Sequence, residues 1–432
     1  MEDMRPTTLG EICTGNGGTI QTGPFGSQLH RSDYRDFGVP VIMPTNIRNG
    51  RIVLDGIAYI AESDAERLGR HRAKLGDIIF SRRGEVDKCA VVTEREAGWL
   101  CGTGCLLARI NPSKADPSYV GYHINFDVTR LWLRQHAVGL VMPNLNTGIL
   151  SRIPLAAPRV FKQRKIAAVL SAIDDKIELN RRMNETLEAS ARALFWDWFV
   201  DFGPTRAKFE GRPAYLAPDL WSLFPDRLGD DGVPEGWIAD TLAAIAKLNP
   251  ETWGVKDHPN ELRYVDLSNT KWGYVEKVEP YYWADAPSRA RRVLRPGDTI
   301  VGTVRPANGS YAYVGEPDLT GSTGFAVLRP TVERDRVVVW CAATSPENIE
   351  RLAHLADGGA YPAVRPEAVL STEIAVPSPE ILSAFAQMVT PLLERIEANK
   401  IESRTLAASR DALLPKLMSG EIRVLEAEAL AA

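Results

Sequence analysis

Arginine and asparagine side chains beside glycines and turns are the residues of this chain best suited to chemistry. Arg82-Arg83-Gly84 follows an apolar run that ends at Ser81, and Arg305-Pro-Ala-Asn308-Gly309 follows a similar run that ends near Val304. Arginine can donate two hydrogen bonds to the acceptor edge of guanine, and asparagine can pair in the same way with adenine. The two loops are therefore candidates for reading DNA bases, while a solvated turn that touches phosphate at most stays open as an alternative for each residue.

Two further groups of polar residues extend this set. Asn144 and Asn146 lie in a Pro-Asn-Leu-Asn turn, and Arg365 stands near the matching position of the later half of the chain. The arginine cluster, as we call it, consists of Arg289, Arg291, Arg292 and Arg295. Such a cluster is more suited to holding phosphate than to reading bases.

The sequence lacks the signatures of catalysis and of cofactor binding. It contains neither the Gly-x-x-x-x-Gly-Lys-Ser/Thr loop that holds ATP nor the Asn/Asp-Pro-Pro-Tyr/Phe run of amino-methyltransferases. The six histidines show no ligand spacing. Cys101 and Cys105 have no second Cys/His pair at a finger-like distance, and because zinc prefers four ligands, we favour structural thiols. We therefore predict a non-catalytic protein without a metal or a cofactor of its own.

The composition is that of a soluble globular protein of 432 residues, 44% hydrophobic and 25% charged. No run of about 18 or more apolar residues occurs, and Met-Glu-Asp-Met-Arg does not have the layout of a signal peptide, so we expect the cytoplasm. The formal net charge is −4 and no segment forms a basic domain. A DNA-binding role would therefore require a second subunit to supply much of the affinity.

The chain repeats itself. Lys176–Phe195 returns as Arg395–Leu414 with nine of twenty residues identical, and the same offset carries Pro143 onto Pro362. A repeat of this length indicates a pair of domains and not a solenoid, whose repeats span roughly 20 to 50 residues. The chain should therefore present two related surfaces to its partners.

Two candidate domains make up most of the repeat. Residues 1–158 contain short apolar runs between turn residues, such as Gly76–Phe80, and this spacing favours strands. Glu62–Leu68 and Pro117–His136 look helical, so we predict a mixed α and β (α+β) domain. Residues 233–377 contain matching runs, which predicts the same fold twice.

Each copy ends in a long helix, predicted over 159–200 and 378–420. Apolar residues recur there in alternating steps of four and three, the 3.5-residue period of a coiled coil. A linker over 201–232 lets the chain turn back, and 421–432 form a tail. We predict that the two helices pair with each other, although a helix packed on a globular core can show the same period. The predicted helix interface consists of Ile173, Ile177, Asn180, Leu187, Leu194, Ile396, Asn399, Leu406 and Leu413, with Asn180 and Asn399 as polar residues that can fix the register.

Several motifs together resemble the specificity subunit of type I restriction-modification systems. They are Gly23-Pro-Phe-Gly-Ser27, Gly38–Ile47, Gly76–Ser81, Met142-Pro-Asn-Leu-Asn146, Ile153–Pro158 with Gln163-Arg-Lys-Ile166, and Val233-Pro-Glu-Gly-Trp237. The resemblance covers nearly the whole chain. The second copy departs from it, because the segment after Pro377 lacks the Gln-x-x-Ile signature and no Gly-Pro-Phe-Gly-Ser motif is recognisable there.

The resemblance implies two target recognition domains, each reading one half of a split, asymmetric sequence of double-stranded DNA. It also implies an antiparallel coiled coil that spaces the halves and docks two methyltransferase subunits, with restriction subunits in the full complex. S-adenosylmethionine, ATP and Mg are then expected on those partners. The candidate DNA-binding residues are Ser27, Asn46, Arg82, Arg83, Asn144, Asn146, Arg291, Arg292, Arg305, Asn308 and Arg365.

Two other function classes stay open at this stage. A structural or adaptor protein could use the two domains and the helices to bind other proteins without reading DNA, and the acidic charge balance is its main support. A nuclease or methyltransferase with an unusual active site is a weaker alternative. The salt dependence of duplex binding separates the first class from a DNA reader.

Overall fold

The computed structural model describes residues 4–139, 141–356 and 362–422. These residues form two compact units, unit 1 from Met1–Leu179 with Glu402–Ala432, and unit 2 from Asn180–Ile401. Two long helices, α6 (Val160–Phe195) and α12 (Pro379–Ser419), each contribute one part to each unit. Most of the predicted tail, from residue 423 onward, lies outside the described residues.

Unit 1 begins with a mixed α and β domain. Its strands are β1 (Arg5–Thr8), β2 (Thr19–Thr22), β3 (Tyr34–Arg35), β4 (Val39–Ile42), β5 (Ile47–Arg48), β6 (Arg51–Ile52), β7 (Ala58–Ile60), β8 (Ile78–Ser81), β9 (Cys89–Val91), β10 (Leu100–Cys101), β11 (Cys105–Arg109) and β12 (Pro154–Ala157). Its helices before α6 are α1 (Leu9–Ile12), α2 (Glu62–Arg67), α3 (Pro117–Asn125), α4 (Asp127–His136) and α5 (Thr147–Ser151).

Antiparallel pairing places three loops at one edge of a four-stranded sheet in unit 1. The strand order is β2-β11-β8-β9, and β8 is buried along its whole length. Ser81 at the end of β8 lies opposite Cys105 at the start of β11, and Thr22 at the end of β2 lies opposite Leu106. The loops after β2 and β8 and the loop before β11 therefore leave the sheet together. A second sheet has the order β10-β4-β7-β3, with β10 and β4 parallel, and β1 pairs with β12.

Unit 2 contains the corresponding elements. Its strands are β13 (Ile238–Thr241), β14 (Ala246–Leu248), β15 (Glu261–Val265), β16 (Thr270–Lys271), β17 (Tyr274–Val275), β18 (Glu279–Tyr282), β19 (Ala290–Leu294), β20 (Thr299–Gly302), β21 (Tyr311–Tyr313), β22 (Leu319–Ser322), β23 (Phe325–Pro330) and β24 (Glu373–Val376). Its helices besides the long ones are α7 (Gly203–Phe209), α8 (Pro218–Leu223), α9 (Arg336–Ala343), α10 (Pro346–Ala356) and α11 (Pro366–Leu370).

The sheets of the two units follow one plan. The sheet β14-β23-β20-β21 repeats β2-β11-β8-β9, the parallel pair β15–β22 repeats β4–β10, and β13–β24 repeats β1–β12. The prediction of one mixed fold in two copies is confirmed. The helix predicted over Pro117–His136 is interrupted, because Phe126 is extended with φ −72° and ψ 142°. The side chain of Asn125 donates to the Gly121 carbonyl beside this break, which competes with continued helical bonding.

The long helices run in opposite directions within unit 1. Arg410 of α12 forms a salt bridge with Asp174 of α6 at 2.7 Å, and Glu402 forms one with Lys176 at 3.3 Å. Because the residue numbers rise along one helix as they fall along the other, the pairing is antiparallel. Tyr122 of α3 also donates to Asp174 at 2.6 Å, so this carboxylate links the domain to both long helices.

The same arrangement occurs within unit 2. The amide nitrogen of Asn399 donates to the side-chain oxygen of Asn184 at 2.8 Å, and the Phe195 and Phe385 rings lie 6.3 Å apart between centroids. The end of α6 continues as one turn of π-helix, Trp196–Val200, and its aromatic residues pack with Phe385 in the core of unit 2. The pairing predicted from the 3.5-residue period, and the antiparallel direction that the resemblance implied, are confirmed in each unit.

The predicted helix interface agrees with the burial pattern. Ile173, Asn180, Ile396, Asn399 and Leu413 are buried. Four further predicted interface residues are partly buried and pack against the cores, namely Ile177, Leu187, Leu194 and Leu406. Burying an aliphatic side chain of this size contributes about 1.5–3 kcal/mol, so this interface is a substantial source of stability.

The buried amide pair of Asn184 and Asn399 gives a stability prediction. Asn399→Ala should lower the free energy of unfolding by about 1–3 kcal/mol, because the side-chain oxygen of Asn184 loses its donor inside the core. The double variant Asn184→Leu/Asn399→Leu should lose less stability than Asn399→Ala, since both members of the amide pair are removed together and only the Tyr274 hydroxyl, which also bonds Asn184, loses a partner. Thermal unfolding of the purified proteins measures both effects, and an Asn399→Ala variant as stable as wild type would contradict this account.

Candidate nucleic-acid interface

Backbone hydrogen bonds fix the loop that follows β8, which we call the unit 1 loop (residues 82–88). The Arg82 amide donates to the Gly104 carbonyl at 2.9 Å, and the Gly84 amide donates to the Pro143 carbonyl at 3.1 Å. The Leu145 amide donates in turn to the Arg82 carbonyl at 2.9 Å. The start of the loop is therefore held between the sheet edge and the Pro143–Leu145 segment.

The structure brings several of the predicted side chains together at this edge. Arg83 is exposed, and its backbone pairs with that of Asn144. The Arg82 guanidinium is half-buried and lies 5.5 Å from the centroid of the Phe25 ring, which is itself 50% exposed. Ser27 is exposed two residues beyond Phe25. Four predicted DNA-binding residues thus lie on or beside three adjacent loops.

The side-chain amides of two predicted asparagines form hydrogen bonds within the protein. Asn46 is fully buried; its side-chain oxygen accepts from the Met43 amide at 3.0 Å and its nitrogen donates to the Asp55 carbonyl at 3.1 Å. We therefore correct the prediction for Asn46, which stabilises the turn after β4 and has no surface from which to contact DNA. Asn146 is exposed, but its side-chain oxygen caps α5 by accepting from the Ile149 amide at 2.9 Å.

Two arginines that the sequence analysis missed also contact the unit 1 loop. Arg130 and Arg134 of α4 both donate to the Asp87 carboxylate, at 2.8 Å and 3.0 Å. Burial raises the pKa of Asp87, but the hydrogen bonds and charges of Arg134 and Arg130 outweigh burial and the net pKa is lowered. Asp127 also lies 3.8 Å from Arg130, so two carboxylates face the two guanidiniums. The i, i+4 spacing of the arginines was visible in the sequence, but their shared partner lies more than 40 residues away.

The equivalent loop after β20, the unit 2 loop (residues 303–309), is held by the same three backbone bonds. Thr303 donates to the Gly324 carbonyl at 2.8 Å, Val364 donates to the Thr303 carbonyl at 2.9 Å, and Arg305 donates to the Pro362 carbonyl at 2.8 Å. By these bonds Thr303 corresponds to Arg82 and Arg305 corresponds to Gly84. The loops are equivalent, as predicted, but their arginines occupy different positions.

The unit 2 loop presents its own polar side chains. Arg305 and Asn308 are exposed, and Arg365 is exposed at the first position before α11, next to the Pro362–Val364 segment. Arg305 adopts a left-handed conformation with φ 47°, where Gly84 has φ 77°. This conformation costs a non-glycine residue about 1–2 kcal/mol. The sequence therefore retains an arginine at a place where glycine would be more stable.

The arginine cluster does not join this edge. Arg291 and Arg292 belong to β19 of the other four-stranded sheet. The Arg291 guanidinium lies 4.3 Å from the centroid of the Trp283 ring, and Arg292, whose pKa is lowered by burial, donates to the Thr252 hydroxyl at 3.3 Å. Their assignment to DNA stays a prediction.

Acidic residues neutralise the rest of the arginine cluster. Arg289 lies 3.0 Å from the Asp266 carboxylate, and Arg295 lies 2.6 Å from that of Glu251. The hydrogen bond from Arg295 is the main cause that lowers the pKa of Glu251 to about 2, so this carboxylate is ionised at neutral pH. Two of the four arginines in the cluster are thus paired with carboxylates, which makes the predicted phosphate contact less favourable.

The described ranges offer no metal-binding constellation and no helix suited to crossing a membrane. Residues 4–139, 141–356 and 362–422 contain no group of three His, Cys, Asp or Glu side chains that could hold a metal ion. Among the helices of these ranges, none is both long and apolar enough to cross a membrane.

Known proteins are similar to this chain in sequence and in fold. Residues 1–189 match the family described as the type I restriction modification DNA specificity domain. The type I restriction enzyme HindI specificity subunit of Haemophilus influenzae is 26% identical over 404 residues, which cover 81% of this chain and 87% of that protein. The MjaIX specificity subunit of Methanocaldococcus jannaschii is 25% identical over 315 residues, 71% and 69% of the two chains.

A solved structure supports the same relationship at the level of the fold. The S subunit of a type I restriction-modification system from M. genitalium aligns over 96% of each chain with a TM-score of 0.58 and 15% sequence identity. The match of residues 1–189, the relatives that span most of the chain and the duplicated domains with antiparallel helices agree with one another. The chain is thus similar, over most of its length, to the specificity subunits of type I restriction-modification systems, and residues 1–189 match the DNA specificity domain of that family.

Proposed function

We propose that this chain reads a bipartite, asymmetric DNA sequence. The unit 1 loop and the unit 2 loop, with the residues beside them, each read one half. Its general role as the DNA sequence-recognition subunit, without catalysis of its own, follows from its similarity to specificity subunits. We further propose which residues perform the recognition. They are Arg82, Arg83 and Asn144 in unit 1 and Arg305, Asn308 and Arg365 in unit 2.

One observation carries this proposal. Three equivalent backbone hydrogen bonds hold both loops, yet the side chains that they present differ: Arg82-Arg83-Gly84 in unit 1 and Thr303-Val304-Arg305 in unit 2. A conserved scaffold with different hydrogen-bonding groups suits two readers of different base sequences. The proposed half-sites are therefore unequal.

The electrostatics define what the partners must supply. The whole chain carries a formal charge of −4, and two of the arginines near the unit 1 loop, Arg130 and Arg134, are paired with Asp87 and Asp127. Because phosphate neutralisation dominates the affinity of most DNA-binding proteins, we propose that partner subunits provide most of the phosphate contacts. The duplicated fold offers two equivalent surfaces, which suits two methyltransferase subunits, with restriction subunits joining in the full complex.

The proposed partners also carry the reactive cofactors. S-adenosylmethionine would belong to the methyltransferase subunits, and ATP and Mg to the methyltransferase–restriction assembly. The cytoplasm, where the cellular DNA of a prokaryote lies, is the proposed location. The adaptor hypothesis rests on net charge alone, and the relationship to specificity subunits does not favour it.

Arg305 provides the test of base reading in unit 2. Arg305→Gly removes the guanidinium and, at φ 47°, should not destabilise the fold, because glycine accepts the left-handed conformation. We expect a loss of roughly 1–3 kcal/mol in discrimination, confined to one half-site. Arg305→Lys keeps the charge without the two-pronged donor and should recover affinity more than discrimination. Competition binding of the purified methyltransferase complex to duplexes with single-base changes measures both; equal weakening on every duplex would identify Arg305 as a phosphate contact.

Arg134 should behave in the opposite manner. Arg134→Ala removes one charge beside the unit 1 loop and leaves Arg130 paired with Asp87. We expect weaker binding to all duplexes, and a slope of log affinity against log salt that is smaller by about one. Arg212→Ala, which removes an exposed charge in the α7–α8 region, is the matched control and should leave the slope unchanged. A change of base preference on Arg134→Ala would contradict its assignment as a phosphate contact.

A further inference from the structure

A strained tryptophan lies beside the unit 2 loop. The β16–β17 hairpin turns at Trp272-Gly273, with φ values of 48° and 85°. The equivalent β5–β6 hairpin of unit 1 turns at Asn49-Gly50, with φ values of 50° and 74°. Asn-Gly is the preferred pair for such a two-residue turn, whereas a bulky residue at positive φ is an outlier. The structure thus places tryptophan where the fold alone would favour asparagine.

The indole packs on the unit 2 loop. The Trp272 amide donates to the Gly309 carbonyl at 2.7 Å, and a Cβ atom added to Gly309 would lie 2.5 Å from Cδ2 of the indole. Tyr311 contacts the same ring edge-on, with centroids 6.0 Å apart. Despite these contacts Trp272 is 56% exposed, so most of its surface does not serve the core.

Trp272 completes the restraint of the loop. Within the unit 2 loop, the Arg305 amide donates to the Pro362 carbonyl. The Asn308 amide donates to the Arg305 carbonyl at 2.9 Å. Trp272 then holds the end of the loop at Gly309 through both backbone and ring. In unit 1, where Asn49 stands at the hairpin, an aromatic ring from another loop, Phe25, contacts Arg82 instead.

We propose that Trp272 is a positioning residue for DNA recognition by unit 2, which keeps Arg305 and Asn308 in one geometry. This inference rests on the proposed function of the unit 2 loop. Side chains held in a fixed geometry lose less entropy when they bind, and they discriminate between bases more sharply. The strain at Trp272 is the kind of local cost that proteins retain at functional sites.

Trp272→Asn separates positioning from stability, because asparagine suits the turn and matches Asn49 while it removes the indole. Wild-type and variant chains are produced with the methyltransferase subunit in a host that lacks this modification. Single-molecule sequencing of the host genome then gives fractional methylation at the recognised sequence and at each of its single-base variants. Arg305→Gly identifies which half-site belongs to unit 2. Trp272→Phe keeps a ring over Gly309, and Phe209→Asn, at an exposed aromatic residue of α7, is the matched control.

We expect Trp272→Asn to lower discrimination about tenfold in the half-site of unit 2 and to leave the other half-site unchanged. Its thermal unfolding midpoint should be no lower than that of wild type. Trp272→Phe should retain most of the discrimination, and Phe209→Asn should retain all of it.

Three results would overturn the proposal. Trp272→Asn could discriminate between bases as well as wild type while Arg305→Gly does not. The unit 2 loop would then still read the bases, but Trp272 would not be needed to position it. Equal loss in both half-sites with a lower unfolding midpoint would make Trp272 a residue of general stability. Unchanged discrimination in both Trp272→Asn and Arg305→Gly would refute base reading by the loop itself, and with it the positioning role.

Discussion

The fold depends on the burial of two antiparallel helices against each other and against the domain cores. In unit 1, Leu413 and Leu417 of α12 enter the same core as Ile166 and Ile173 of α6, although these residues lie far apart in the sequence. In unit 2, α6 supplies Phe195 to a core that α12 shares. Each core therefore needs both helices, and an isolated repeat would lack part of its own interior. Within this interface the side chains of Asn184 and Asn399 are hydrogen-bonded to each other, which restricts the register.

The duplicated domain meets a second constraint at the sheet edge. Antiparallel pairing brings the loops after β8 and β20 to equivalent places, and backbone bonds to Pro143 and Pro362 hold both in the same way. Backbone bonds do not depend on side-chain type, so the exposed residues can change while the scaffold stays constant. Unit 2 shows how far this change has gone, because Arg305 and Trp272 stand at left-handed positions that unit 1 gives to Gly84 and Asn49.

Much of the architecture could be predicted from the sequence because it depends on local periodicity. The repeat near Lys176 and Arg395 indicated two copies, and the 3.5-residue period indicated paired helices, which the antiparallel contacts confirm. Short apolar runs such as Gly76–Phe80 predicted strands correctly. These signals are carried by neighbouring residues, so they survive without any knowledge of the tertiary structure. The domain limits and the DNA contacts stay predictions.

The candidate site was less predictable because its properties arise from distant contacts. Asn46 has the right side chain for adenine, but its burial by the turn at Asp55 gives it a structural role. Arg289 and Arg295 look like a basic patch until Asp266 and Glu251 are placed beside them. Two further features are likewise visible only in three dimensions. They are the pairing of Asp87 with two arginines of α4 and the different positions of the arginines in the two loops.

The central claim is that one chain specifies both halves of a split DNA sequence through two related but different readers. The most direct test is the pattern of DNA methylation in the source organism with and without the gene for this chain, determined by single-molecule sequencing. The account predicts the loss of one motif that consists of two unequal half-sites separated by a fixed gap. Loss of a symmetric or uninterrupted motif would contradict the claim of two different readers, and, in a strain whose methyltransferase subunits are produced, an unchanged pattern would contradict the recognition role itself.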